Sequence, residues 1–175
     1  MTGPARAAAE ALARWMELRD YRGFDPFDGA ASPFARPLSA SRWATVAWIQ
    51  VLRRLPVQLR PLLLVAPLEN PKTLALTIQG TLALSDASVD LPDGRISTLA
   101  LRLSGLQQED GWGYPFPWAN RHFHVQAGTP ASVPSAFAVH ALLDVVEAGV
   151  LTTADLAPPL EKAARFFAER LNRVR

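Results

Sequence analysis

Hydrophobic and polar positions alternate along most of this chain with the spacing of helices. From Pro4 to about Arg19, Ala8, Leu12, Trp15, Met16 and Leu18 fall on one side and Arg6, Glu10, Arg14 and Glu17 on the other, which predicts an amphipathic helix. The loop DYRGFDPFDGAASPFARP follows, and a second helix is predicted from about Ser39 to Leu55, stopped by Pro56. Asn70 and Pro71 read as a cap and a first-turn proline, opening a third helix to about Ser85 against the opposing preference of Gly80 and the β-branched residues. A fourth spans about Gly94 to Leu106. Thr129 as N-cap and Pro130 as first residue open a fifth, ending near Ala148 before Gly149. The sixth runs from about Pro158 to the C-terminus, with Leu160, Ala163, Ala164, Phe167 and Leu171 inward and Lys162, Arg165, Glu169 and Arg170 outward. No segment predicts a strand.

The helices differ in how much of their circumference is apolar. Thr73 to Leu84 and Ala131 to Val146 are apolar nearly all round, whereas the first and sixth segments keep a polar face. An all-round apolar helix has to be covered on every side, so these two are expected to be inner helices screened by amphipathic outer ones. That alternation predicts a single all-α domain of antiparallel helix pairs. With no sequence repeat at a fixed period to support a solenoid, an α/α toroid is expected, of which three pairs make about half a ring.

Composition narrows the function classes. A chain of 175 residues without cysteine has no disulfide, no thiolate nucleophile and no thiolate zinc site, which fits a cytoplasmic protein. The apolar stretches around Ala44 to Leu52 and Leu62 to Leu68 fall well short of the roughly 20 residues of a membrane span. Charges at Arg6, Glu10, Arg14 and Glu17 rule out a signal-peptide core at the N-terminus. A net charge of +2 is too small for an electrostatic footprint on nucleic acid. Arg165, Arg170, Arg173 and Arg175, at helical spacing among Glu161 and Glu169, read as a solvated helix face.

The densest chemistry lies in GWGYPFPWANRHFHVQAGTP, Gly111 to Pro130. Glycine and proline forbid a regular helix there, so Trp112, Tyr114, Phe116 and Trp118 must be carried on a shaped loop, and such loops commonly bind ligands. The alternative is that the rings plug one end of a helical array.

On these residues the chain resembles known toroids. GLQQEDGWGYPFPW (Gly105 to Trp118) is similar to the Gln-x-x-Asp-Gly-Trp turn of squalene cyclases and prenyltransferases, and TPASVPSAFAVHALLD (Thr129 to Asp144) to the Thr-Pro start of their next inner helix. Together, YRGFDPFDG, RPLLLVAPLENPKTLAL and WGYPFPWANRHFHVQAGTP resemble more closely a group of uncharacterised bacterial toroid proteins of polysaccharide-biosynthesis gene clusters. The resemblance implies an α/α toroid of the terpenoid-cyclase or six-hairpin glycosidase kind, with a cavity at one end. It carries no reaction with it: the acidic motif of the cyclases is missing, and a chain without cysteine lacks the usual zinc site of the prenyltransferases. The chain is also expected to lack further hairpins on its C-terminal side, or to be completed by another chain.

The candidate chemical groups are few. Asp25 and Asp28 in YRGFDPFDG are either ordinary turn formers or an acid and base pair of the kind that cleaves glycosidic bonds, with Glu109 or Asp110 as another source of the second carboxylate. His122 and His124 flank Phe123, so an extended segment would point both imidazoles the same way; no third ligand at suitable spacing accompanies them, and neither a metal nor a cofactor is expected. Arg121 offers a planar fork for a carboxylate, a phosphate or a ring. His140 and Asp144, four apart on the fifth helix, read as a structural hydrogen bond. No nucleophile elbow, phosphate loop or dinucleotide fingerprint is present. The expected function is the handling of a carbohydrate through Trp112, Tyr114, Phe116, Trp118, Arg121, His122 and His124 as binding groups, with Asp25, Asp28 and Asp110 as the candidate acids. An isoprenoid ligand held by the same rings, and a non-catalytic scaffold or truncated product, remain as alternatives.

Overall fold

The computed structural model describes residues 3–87, 89, 94–120 and 122–171 and is mostly helical. Its helices are α1 (Gly3–Glu17), α2 (Arg42–Arg54), α3 (Pro71–Asp86), α4 (Arg95–Gly105), α5 (Ser132–Glu147) and α6 (Thr153–Arg165), the last continued by a π turn over Phe166–Arg170. Short 3-10 segments, Asp28–Ala31 and Pro33–Ala40, fill the chain between α1 and α2, and Val57–Leu59 and Pro61–Leu63 follow α2.

The core sits where the sequence concentrates small and aliphatic residues. α3 and α5 pack along each other, α4 lies against both, and α6 covers α5. Leu74, Ile78, Leu103, Leu142, Val145 and Leu156 interlock with Ala75, Ala100, Ala138 and Ala141, whose small side chains let the helices approach. Burying each large aliphatic contributes about 1.5–3 kcal/mol. Yet α3 and α5 are not covered all round as their composition predicts. Leu76 and Leu143 stay about half exposed, at 47% and 50%, and α1 stands off Leu76 across an open groove.

α1 departs further from expectation. None of its residues is fully buried, and Leu12, Trp15 and Leu18 of the predicted stripe are exposed. Of that stripe Met16 is half-buried, as are Ala9 and Ala13. The helix is tied down at its end by polar groups: Arg95 of α4 binds Glu17 at 2.6 Å, and Arg102 of α4 binds Asp20 at 2.6 Å and also Glu69.

Helix ends follow local chemistry. The Asn70 side chain accepts from the Lys72 amide at 3.1 Å ahead of Pro71, so this cap forms as predicted. Ser41, rather than a residue near Ser39, caps α2. α5 starts at Ser132 and Thr129 is not its cap; the Ala131 amide is held at 2.9 Å by the Trp112 carbonyl, which keeps the preceding residues extended. α6 starts before Pro158, because Thr152 and Asp155 form a reciprocal capping box and Leu156 is fully buried. Pro158 and Pro159 therefore lie inside that helix.

Two short antiparallel strand pairs, unforeseen in the sequence, position the loops. β1 (Arg22–Gly23) pairs with β2 (Leu68–Glu69), and β3 (Trp118–Ala119) pairs with β4 (His124–Val125). Among the described residues no helix is long and apolar enough to cross a membrane. Arg173 and Arg175 of the C-terminal arginine group lie outside the described residues.

Candidate functional site

The aromatic segment is a strapped hairpin. Its two arms are joined by Ala131 N–H to the Trp112 carbonyl at 2.9 Å, by Gly128 N–H to the Tyr114 carbonyl at 2.8 Å, and by the pairing of Trp118 with Val125. Gly113 permits this approach: a Cβ there would lie 2.3 Å from the Thr129 carbonyl oxygen, closer than any side chain could sit. At the tip, the Asn120 carboxamide oxygen accepts from the amides of His122 and Phe123 at 2.8 and 2.7 Å, so the chain turns there.

The hairpin distributes its rings unequally. Trp112 is fully buried; its indole N–H donates to the Leu103 carbonyl at 2.7 Å and its amide to Ser135 Oγ at 2.9 Å. The structure thus places Trp112 in the core between α4 and α5 and not on a ligand surface. Phe116 is almost as buried, at 2%, yet one edge borders a cavity. Tyr114 stacks on Phe116 at 5.6 Å and meets Trp118 edge-on at 6.3 Å. Tyr114 and Trp118 are half-buried, leaving ring surface open to an outer cavity of about 550 Å³.

Asp25 lines this cavity too. The pairing of Gly23 with Leu68 brings the segment before Asp25 beside the segment before Asn70. Asp25 Oδ2 accepts from Asn70 Nδ2 at 3.3 Å and Oδ1 from the Phe27 amide at 2.9 Å, which fixes the carboxylate beside the N-terminus of α3. That end of a helix favours negative charge. Asp25 is half-buried and lines both the outer cavity and an inner one of about 200 Å³. Burial, and secondarily the charge on Asp25, push the Tyr114 hydroxyl above its usual range, so it stays protonated as a donor. Lys72 stands on the rim of the outer cavity with its ammonium 5.0 Å from the Phe137 ring.

Asp28 is engaged elsewhere. It is 2% exposed and faces Arg60, itself 3% exposed, with Oδ1 and Nε 3.0 Å apart but out of line for a hydrogen bond. Its Oδ2 accepts from the Asp25 amide at 3.0 Å. Burial pushes the Asp28 carboxyl above its ordinary value, with Arg60 opposing. Arg60 also donates to the Leu52 carbonyl at 2.8 Å, satisfying the C-terminal end of α2. Asp28 borders the inner cavity, but its partners make it a pin for the Asp25 loop.

The remaining sequence candidates are not brought to this place. Asp110 and Glu109 bind Arg170 at 3.1 and 2.7 Å, and neither lines a cavity with Asp25. His122 and His124 are both exposed, and His122 sits in the turn, so the two do not share an extended segment. Among the described residues no three His, Cys, Asp or Glu side chains gather as a metal site. Arg121 lies outside the described residues. His140 and Asp144 share Gln79 Nε2, which lies 2.9 Å from His140 Nδ1 and donates to Asp144 at 2.7 Å, joining α5 to α3.

Three contributors escaped sequence reasoning. Asn70 carried a visible cap signal but nothing linking it to Asp25 across 45 positions. Phe27 and Lys72 reach the outer cavity from loop and helix positions that read locally as turn and first turn. No protein-family model, curated protein or solved structure matches the chain.

Proposed function

We propose that this chain is a carbohydrate-handling protein of toroid type, and that the cavity between the Asp25 loop and the aromatic hairpin is its binding site. The observation that carries the reading is that Asp25, Tyr114 and Trp118 line one cavity of about 550 Å³. Sugar rings present apolar faces edged by hydroxyl groups. Aromatic rings, a carboxylate, a phenol and the Lys72 side chain in one lining match both parts of that chemistry. The toroid assignment rests on the resemblance of the hairpin and inner-helix sequences, together with the mostly helical fold.

The site is read as one of binding rather than hydrolysis. Cleavage of a glycosidic bond ordinarily takes two carboxyl groups flanking it. Here Asp28 is held by Arg60 and Asp110 by Arg170, which leaves Asp25 as the accessible acid of the cavity. Titrating the protein with a panel of neutral and acidic oligosaccharides, with a lipid diphosphate as comparison, and following tryptophan fluorescence tests the reading. A saturable response to an oligosaccharide and none to the diphosphate supports it. A response confined to the diphosphate would transfer the site to the isoprenoid class.

A further inference from the structure

Between Asp28 and Glu69 the chain carries no acidic residue, while Arg36, Arg42, Arg53, Arg54 and Arg60 all fall in that stretch. Arg60 is buried against Asp28, and the other four are exposed. Among the described residues none of those four forms an ion pair with a carboxylate. Arg42 stands 5.2 Å from the Trp43 ring and Arg53 4.9 Å from the Phe27 ring, and Arg54 donates to the Gln50 carbonyl at 3.0 Å. Their charge is therefore left to whatever lies outside the protein.

α2 turns an apolar stripe outward among these charges. Thr45, Ile49 and Leu52 make its buried face. Trp43, Ala47 and Val51 follow one another at intervals of four on the other side and are exposed, Trp43 at 60% and Val51 at 54%. Arg54 falls on the same stripe, and Arg42 and Arg53 lie beside it. At 13 residues the helix is too short to cross a bilayer. An exposed tryptophan and aliphatic stripe bordered by arginine alone suits a helix lying in a membrane interface, where an indole settles at headgroup level and guanidinium groups meet lipid phosphates.

We infer that the outer face of α2 docks on an anionic lipid surface, with Trp43 and Val51 at the headgroup boundary and Arg42, Arg53 and Arg54 among the phosphates. Charge decides among the occupants of such a face. A second copy placed by a two-fold axis would set arginine against arginine, and α2 has no acid to relieve them. A nucleic-acid backbone would match the arginines and leave Ala47 and Val51 without an apolar partner. The inference goes beyond the carbohydrate reading and does not depend on it: Asp25, Tyr114 and Trp118 take no part.

Cosedimentation of the full chain with vesicles of phosphatidylcholine alone, and of phosphatidylcholine with one-third phosphatidylglycerol, tests it. Binding should be confined to the anionic vesicles and should weaken as salt is raised toward about 1 M, where the screening length falls to about 3 Å. An arginine near an anionic surface contributes about fivefold to partitioning, so the double variant Arg42→Gln, Arg54→Gln should bind roughly 25-fold less tightly. Trp43→Ala should weaken binding as well. All three side chains are exposed, so far-ultraviolet spectra of the variants should match the parent. Equal binding to both vesicle types, no binding to either, or undiminished binding by the double variant overturns the inference. So does tighter binding of a short single-stranded oligonucleotide than of the anionic vesicles, which would assign the arginines to nucleic acid.

Discussion

Neighbouring side chains of one type do opposite work here, and substitution separates them. Asp25 and Asp28 lie three positions apart, yet one lines both cavities and the other is closed against Arg60. Removing the partner of a buried charge leaves the survivor uncompensated, so Asp28→Ala should lower stability by about 3–5 kcal/mol in a urea titration. Asp25→Asn keeps an acceptor for the Phe27 amide and should cost less than about 1 kcal/mol, while weakening ligand binding. The two tryptophans divide the same way. Trp112→Ala empties a fully buried site and should cost about 3–5 kcal/mol, whereas Trp118→Ala should leave the thermal midpoint nearly in place and abolish the fluorescence response to ligand. Sequence placed all four residues in candidate roles but could not rank them. Asp-Pro and Asp-Gly are both turn formers, and the burial that distinguishes Asp28 comes from Arg60, 32 positions away in an apolar stretch with no motif of its own.

Elements were legible where local chemistry decides them. The Asn70 cap and the apolar runs of α3 and α5 required only near neighbours, and they form where the periodicity puts them. Boundaries shifted where a distant or competing contact intervened: the Trp112 carbonyl holds Ala131 extended, and the Thr152 capping box starts α6 ahead of its prolines. The strand pairs were illegible because each strand is two residues long and is specified by its partner, not by alternation. The α6 cap also has a pH signature. Hydrogen bonds from the Thr152 side chain and backbone hold Asp155 below the ordinary 3.8, so the stability it contributes is present above that pH and is lost as pH falls through the lowered value. Thermal midpoints from pH 5 down to pH 2 should fall less in Asp155→Asn than in the parent; parallel curves would contradict the cap's role.

At the scale of the whole molecule, the uncovered faces of α3 and α5 are the main feature that the helix pattern did not anticipate. Leu76, Val133 and Leu143 remain exposed on helices whose composition calls for cover, and such surface commonly drives association. Light scattering at tens of micromolar, a rough working scale for modest association, should report species larger than the monomer; a monodisperse monomer would mark the fold as self-contained. The cavity system depends on the joining of distant parts of this fold. β1 and β2 bring Asp25 to α3, and the strapped hairpin brings Tyr114 and Trp118 to the same cavity. The most direct measurement of that arrangement is the affinity of the best oligosaccharide from the panel for the parent protein, Asp25→Asn and Trp118→Ala. Both substitutions should weaken binding at least tenfold while far-ultraviolet spectra stay unchanged, and unaltered affinity in both folded variants would contradict a sugar site between the acid and the ring.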